Sequence, residues 1–299
     1  MPAELPYTTP KYEVTVERNV IYSQAMGYRK DAPEDSKNAL PVSFRQGKME
    51  LLDLDMDVYM PDGGDSEKRP LLLIMHGGSF FIGNKDEKGQ VAWCQYFASL
   101  GYVAACINYR MGFNLGKKSY CKAEDRAVED ADAAIKYLLG RDDLRIDPER
   151  IFAAGTSAGA MTALSLAFRL YGDKPMKEVT PRLPAGFRIR GVANLWGSVH
   201  DLSVLENARV PILSFQSTAD PVMPYDFGYP LGSAGKLLSD PMYGTHAVHE
   251  KALELGLRAE HHPCPERGHR IHLDDALEYT PIFYEIRDTM AEFFAKEME

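Results

Sequence analysis

Apolar positions along this chain follow two rhythms, and the change from one to the other sets the architecture. From Tyr12 to Tyr22 the run Tyr-Glu-Val-Thr-Val-Glu-Arg-Asn-Val-Ile-Tyr alternates, which predicts an antiparallel strand. The polar stretch Tyr28 to Asn38 predicts an exposed loop, so residues 1–48 read as a strand followed by a polar loop. Glu50 to Tyr59 alternates again, with Leu52, Leu54, Met56 and Val58 set against Asp53, Asp55 and Asp57, and closes at Pro61-Asp62-Gly63-Gly64. That pattern predicts a strand with one buried and one acidic face. From Pro70 to Met75 the residues are continuously apolar, as expected of a strand covered on both sides.

Beyond this point helical and strand patterns alternate. Helices are expected over Gln90–Leu100, stopped by Gly101, and over Ala123–Leu139, stopped by Gly140. Ala160–Leu170 and Thr245–Leu255 have the same helical character, and Leu273–Met298 reads as a helical tail interrupted at Thr280-Pro281. Strands are expected over Tyr102–Asn108, Arg150–Ala154, Ile189–Leu195, Val210–Gln216 and Leu257–Pro263. Such alternation implies one α/β domain with a mostly parallel sheet and helices on both faces. Two Gly/Pro-rich stretches, 171–187 and 225–244, are long for connections and are expected on the substrate side.

Composition narrows the partners. A chain of 299 residues, 45% hydrophobic, can bury a large core in a single domain. Its net charge of −9 comes without a basic block, which argues against nucleic acid and anionic membrane surfaces. Apolar runs are strand-sized, and the first residues, Met1-Pro2-Ala3-Glu4-Leu5-Pro6, lack the basic and apolar regions of a secretion signal. The expectation is a cytosolic protein, or a secreted one whose leader has been removed. Cys94, Cys106, Cys121 and Cys264 show no zinc-like spacing, so no metal site is expected. Cys106 falls in an apolar strand and reads as core, leaving Cys94, Cys121 and Cys264 as the candidates for any disulfide.

The chemistry concentrates at Gly155-Thr156-Ser157-Ala158-Gly159. A Gly-x-Ser-x-Gly run between an apolar strand and an alanine-rich helix is a nucleophile elbow, in which a strained turn projects the serine Oγ from the sheet edge. Side chains at Gly155 and Gly159 would collide with the neighbouring strand and helix. A nucleophilic serine then needs a base, an orienting acid and oxyanion donors. Glycines in His76-Gly77-Gly78-Ser79-Phe80 let backbone N–H groups turn inward, so Gly78 or Ser79, with Ala158, are the expected donors; His76 reads as the loop's structural anchor. Asp220, leaving the Val210–Gln216 strand ahead of Pro221, is the expected acid, with Asp201 as its competitor. Of the six histidines after Asp220, His269 alone lies in a turn-rich loop after the last strand, with His272 the alternative. Phe80, Trp196 and Tyr225, with Phe81, Phe227 and Tyr229, are expected to rim the substrate cleft.

On these residues, together with Leu54 to Pro61, Asn108-Tyr109-Arg110, Asp130 and Asp147-Pro148-Glu149-Arg150-Ile151, the chain resembles the α/β-hydrolase superfamily, in its esterase/lipase-like branch. It looks closest to bacterial carboxylesterases and to the bifunctional feruloyl and acetyl-xylan esterases. It departs from many of these in reading His-Gly-Gly-Ser where they carry a third glycine. The resemblance implies a serine esterase acting on small-molecule or carbohydrate esters through an acyl-enzyme, with no cofactor. An amide-directed relative such as an arylformamidase shares these motifs, and a binding module on the same fold would be expected to have lost one of the three residues.

Overall fold

The computed structural model describes residues 5–30, 47–63, 68–265 and 268–298. The expected polar loop therefore lies largely outside the described residues, as do Gly64 and the pair Glu266-Arg267. Eight strands form one sheet: β1 Val14–Gly27, β2 Glu50–Pro61, β3 Arg69–Met75, β4 Val103–Ile107, β5 Ile146–Thr156, β6 Gly191–Leu195, β7 Ile212–Ser217 and β8 Ala259–Cys264. Their order is β1-β2-β4-β3-β5-β6-β7-β8. From β4 to β8 every pairing is parallel, whereas β1 and β2 run antiparallel at one edge.

The apolar run of β3 works because both faces of the sheet are covered. Leu71, Leu73 and Met75 point into one core, shared with the helices α2 Lys117–Leu139, α3 Ala158–Leu164 and α4 Thr245–Glu254. Leu72 and Ile74 point into the other, beneath α1 Lys88–Leu100 and α5 Pro281–Lys296. Strict two-residue alternation of side chains sends one strand's residues to two cores.

Several boundaries move from where the sequence pattern put them. β2 does not keep an acidic outer face. Asp53 is exposed, but Asp55 and Asp57 are buried against Lys30, Arg18, Asn108 and Lys85. The Asp57 carboxylate accepts from Asn19 N–H at 2.9 Å and lies 2.9 Å from Lys85 Nζ, and buried carboxylates persist only with such partners. The C-terminal helix starts at Pro281, not Leu273, because proline suits the first helical turn and pushes its predecessor out of helical geometry. Residues before it fold into a turn in which Asp274 Oδ1 accepts from Ala276 and Glu278 N–H. The helix after the elbow is α-helical only to Leu164 and widens to π geometry over Ser165–Leu170.

The two long connections part company. The 225–244 stretch follows β7 at the carboxyl edge of the parallel strands and contains a two-stranded ribbon, Phe227–Gly228 against Met242–Tyr243. The 171–187 stretch is not on the substrate side. Helix α3 leaves the carboxyl edge at Ser157 and carries the chain to the opposite edge, where β6 must begin if it is to run parallel to β5. There Tyr171 and Arg182 are held by Asp132 of α2.

Candidate active site

Gly155 pairs with Met75 on one side and Asn194 on the other, so the end of β5 lies between two neighbouring strand ends. Ser157 turns out of the sheet at φ 52°, ψ −116°, a left-handed region that costs a non-glycine residue about 1–3 kcal/mol. The surroundings hold it there: its N–H donates to Leu195 O at 2.8 Å and its carbonyl accepts from Met161 N–H at 3.0 Å. A Cβ on Gly159 would lie 2.1 Å from Met75 O, and one on Gly155 would lie 2.3 Å from the Gly159 carbonyl carbon. Both glycines are therefore required by close backbone approach, as the spacing predicted.

Ser157 Oγ lies 2.9 Å from His269 Nε2. On the far side of the ring, Nδ1 lies 2.8 Å and 3.0 Å from the two carboxylate oxygens of Asp220. A carboxylate only accepts, so Nδ1 carries the proton and Nε2 is left free to accept from the serine hydroxyl. The Asp220 side chain is fully buried; its Oδ1 accepts from Val222 and Met223 N–H at 2.8 and 3.1 Å. The structure thus brings together Ser157, Asp220 and His269 from three separate loops. The competitors stand elsewhere. Asp201 caps the short helix Leu202–Asn207 by accepting from Ser203 N–H at 2.9 Å. His272 is buried between Trp93 and Trp196, with burial and the nearby Arg270 and His269 lowering its pKa to about 3.

The loop after β3 passes the elbow closely enough that a Cβ on Gly77 would lie 3.4 Å from Ser157 Cβ. Gly78, Ser79 and Phe80 all have positive φ, and Phe81 and Ile82 N–H close the turn on Gly78 O at 2.9 and 3.0 Å. Among the described residues, the N–H groups of Gly78, Ser79 and Ala158 donate to no protein acceptor. His76 anchors this loop: its Nδ1 donates to Gly77 O at 2.7 Å and its ring stacks on Tyr109 at 4.2 Å. Burial lowers the His76 pKa to about 4, so the ring is neutral and not a competing base. Tyr109 hydroxyl donates to His76 O at 2.8 Å, a support that the sequence pattern did not single out. At the entrance to α1, Glu87 is half-buried, and the burial of its carboxyl raises its pKa to about 7.

The aromatic rim needs correction. Phe80 is fully buried, because three successive positive-φ residues turn its ring inward onto Tyr109 and Tyr120. Trp196 is only 1% exposed and lies under the histidines, edge-on to His269 and stacked on His272. Tyr225 is half-buried and stacks on His246, while Phe227 is exposed. Ser157 itself is 5% exposed. Among the described residues no two cysteines are joined in a disulfide; Cys106 is core as expected, and its sulfur neighbour is Cys94.

A mostly parallel eight-stranded sheet with helices on both faces and a serine on a strand–helix elbow is the architecture of an α/β-hydrolase. The solved esterase 2 of Thermogutta terrifontis, phosphorylated by paraoxon, superposes with a TM-score of 0.63 at 18% identity, covering 99% of this chain and 96% of that one. Within that class the chain belongs to the BD-FAE family, whose pattern residues 56–208 match. Gut esterase 1 of Caenorhabditis elegans is 30% identical over 110 residues, 36% of this chain and 19% of that protein. Arylacetamide deacetylase of Oryctolagus cuniculus is 28% identical over 166 residues, 52% of this chain and 38% of that protein. The matches thus cover well under half the length of these curated relatives.

Proposed function

We propose that the chain is a serine hydrolase of carboxylic esters, with Ser157 as nucleophile, His269 as base and Asp220 as the acid that orients it. The observation that carries this reading is the unbroken hydrogen-bond chain from Ser157 Oγ through His269 to the buried Asp220 carboxylate. His269 Nε2 takes the hydroxyl proton as Ser157 Oγ attacks the ester carbonyl. The oxyanion accepts hydrogen bonds from the N–H groups of Ala158 and of Gly78 or Ser79. His269 passes the proton to the departing alkoxide, and water, deprotonated by the same nitrogen, releases the acid.

Acyl groups are short or flat in this reading. Ser157 is buried and the His269 side chain is 17% exposed, which supports small acyl groups over long chains. Acetyl or feruloyl groups on plant polysaccharide fit the family assignment. An amide-directed activity is the second reading, favoured by the match to arylacetamide deacetylase. Rates on p-nitrophenyl acetate, acetylated xylan, feruloylated arabinoxylan and an aryl acetamide separate these readings. Ser157→Ala is the first test: turnover and labelling by a phosphonate probe should both vanish while the circular dichroism spectrum is unchanged. Undiminished turnover in that variant would remove Ser157 from its role.

A further inference from the structure

Gln216, the penultimate residue of β7, is fully buried and has every polar position engaged. Its Nε2 faces Asp220 Oδ2 at 3.1 Å and the carbonyls of Met223 and Pro224 at 3.1 and 3.2 Å. Its Oε1 accepts from Thr245 Oγ1 at 2.8 Å and from Thr245 N–H, at the start of α4, at 3.3 Å. The second donor fixes the amide's sense. Flipped, the carboxamide would set its NH₂ against the Thr245 N–H and its oxygen against the Asp220 carboxylate. The Thr245 hydroxyl, having given its proton to Gln216, accepts from His261 Nε2 at 3.2 Å. Burial, with His249, His246 and His262 nearby, lowers the His261 pKa to about 4, so the ring offers an N–H and no charge at neutral pH.

Asp220 needs this support. Backbone N–H groups hold its Oδ1, but a carboxylate held at one oxygen still pivots, and Oδ2 makes the shorter contact with His269. We propose that Gln216, oriented by Thr245, is a positioning residue for the Asp220–His269 pair. It fixes the carboxylate plane and tethers the Met223-Pro224 turn that leads into the 225–244 segment. The proposal rests on the assignment of Ser157, Asp220 and His269 given above.

Two variants test it, with p-nitrophenyl acetate as the probe. Gln216→Met keeps the length and removes the donor. It should lower kcat about tenfold with KM close to wild type, the loss expected for one buried hydrogen bond to a charged group. It should also move the acid limb of the kcat/KM profile upward by about half a pH unit. Asp220 with one donor fewer stabilises the protonated ring of His269 more strongly. Gln216→Glu places a carboxyl against Asp220 and two carbonyls, where it can replace the amide only while protonated. That variant should work best just above the acid limb and fall as pH rises through its own raised pKa, where wild type does not fall. Simple space-filling by Gln216 would give a loss independent of pH. A Gln216→Met enzyme within twofold of wild type and with an unmoved acid limb overturns the proposal. So does a Gln216→Glu enzyme impaired equally at every pH, which also decides the matter if Gln216→Met fails to fold. Ser157→Ala, run alongside, keeps the two levels apart: turnover retained there refutes the site reading itself, whereas an inactive Ser157→Ala beside an unaffected Gln216→Met refutes this proposal alone.

Discussion

Replacing Asp220 with asparagine changes one atom and should nearly silence the enzyme. The new side chain has one oxygen and one NH₂ to distribute over the positions that two carboxylate oxygens hold now. Oδ1 accepts from Val222 and Met223 N–H, so the asparagine oxygen must stay there; turning the NH₂ toward them would strand two donors at about 1–3 kcal/mol each. The NH₂ then faces Gln216 Nε2 and His269 Nδ1, both of which are donors in the wild-type network. The retained oxygen lies 3.0 Å from Nδ1, farther than the NH₂ at 2.8 Å, so moving the His269 proton to Nε2 relieves the conflict. That nitrogen, 2.9 Å from Ser157 Oγ, could then no longer accept the serine proton. A histidine locked in the wrong tautomer costs about 10⁴-fold in kcat, or about 5 kcal/mol of barrier. The assay is kcat and KM on p-nitrophenyl acetate at pH 7.5–8, with thermal unfolding to confirm the fold. A loss of less than tenfold would refute the reasoning, as would a larger loss in Asp201→Asn, whose carboxylate only caps a helix.

Other consequences follow from the packing. Gly159→Ala puts a methyl 2.1 Å from Met75 O, so it should lower stability by about 3 kcal/mol or more and disturb the 76–80 loop; an unchanged Tm would contradict the close approach. Lys85→Met removes the ammonium 2.9 Å from buried Asp57 and leaves Arg18 and the Asn19 N–H as its partners, which should cost about 1–3 kcal/mol in urea unfolding, and no measurable loss would count against it. His76, His261 and His272 are held neutral, with pKa values lowered by burial to about 4, 4 and 3, while in the unfolded chain they protonate near 6.5. Because the unfolded state binds the extra protons, stability should be full above about pH 6.5 and fall as pH drops toward 4. His272→Phe should make that fall shallower, and a Tm flat between pH 7 and 5 would refute the account. Finally, kcat/KM should decline from acetyl and butyryl to longer p-nitrophenyl esters; a rise through octanoate would contradict the proposed preference for short acyl groups.

Much of this protein is determined locally, and local features can be read from the chain. Continuous apolar runs mark β3, β4 and the Ile151–Ala154 part of β5 because a parallel strand covered on both faces has no polar side to show. Gly155 and Gly159 announce the elbow because close backbone approach leaves room for no other residue. Asp220 and His269 could be nominated because each follows a parallel strand whose carboxyl end must lie at the same sheet edge as that of β5. The sequence by itself therefore determined the sheet and the three residues that meet at its edge. Tertiary structure decided what depends on neighbours distant along the chain. Asp55 and Asp57 are buried only because Arg18, Lys30 and Lys85 arrive from other segments to neutralise them. Phe80 and Trp196 look like cleft aromatics until backbone turns send their rings inward, and periodicity does not report φ. Gln216 sits in a strand pattern that gives no sign of Asp220 and Thr245 converging on it; only the juxtaposition of β7 and α4 makes its amide consequential.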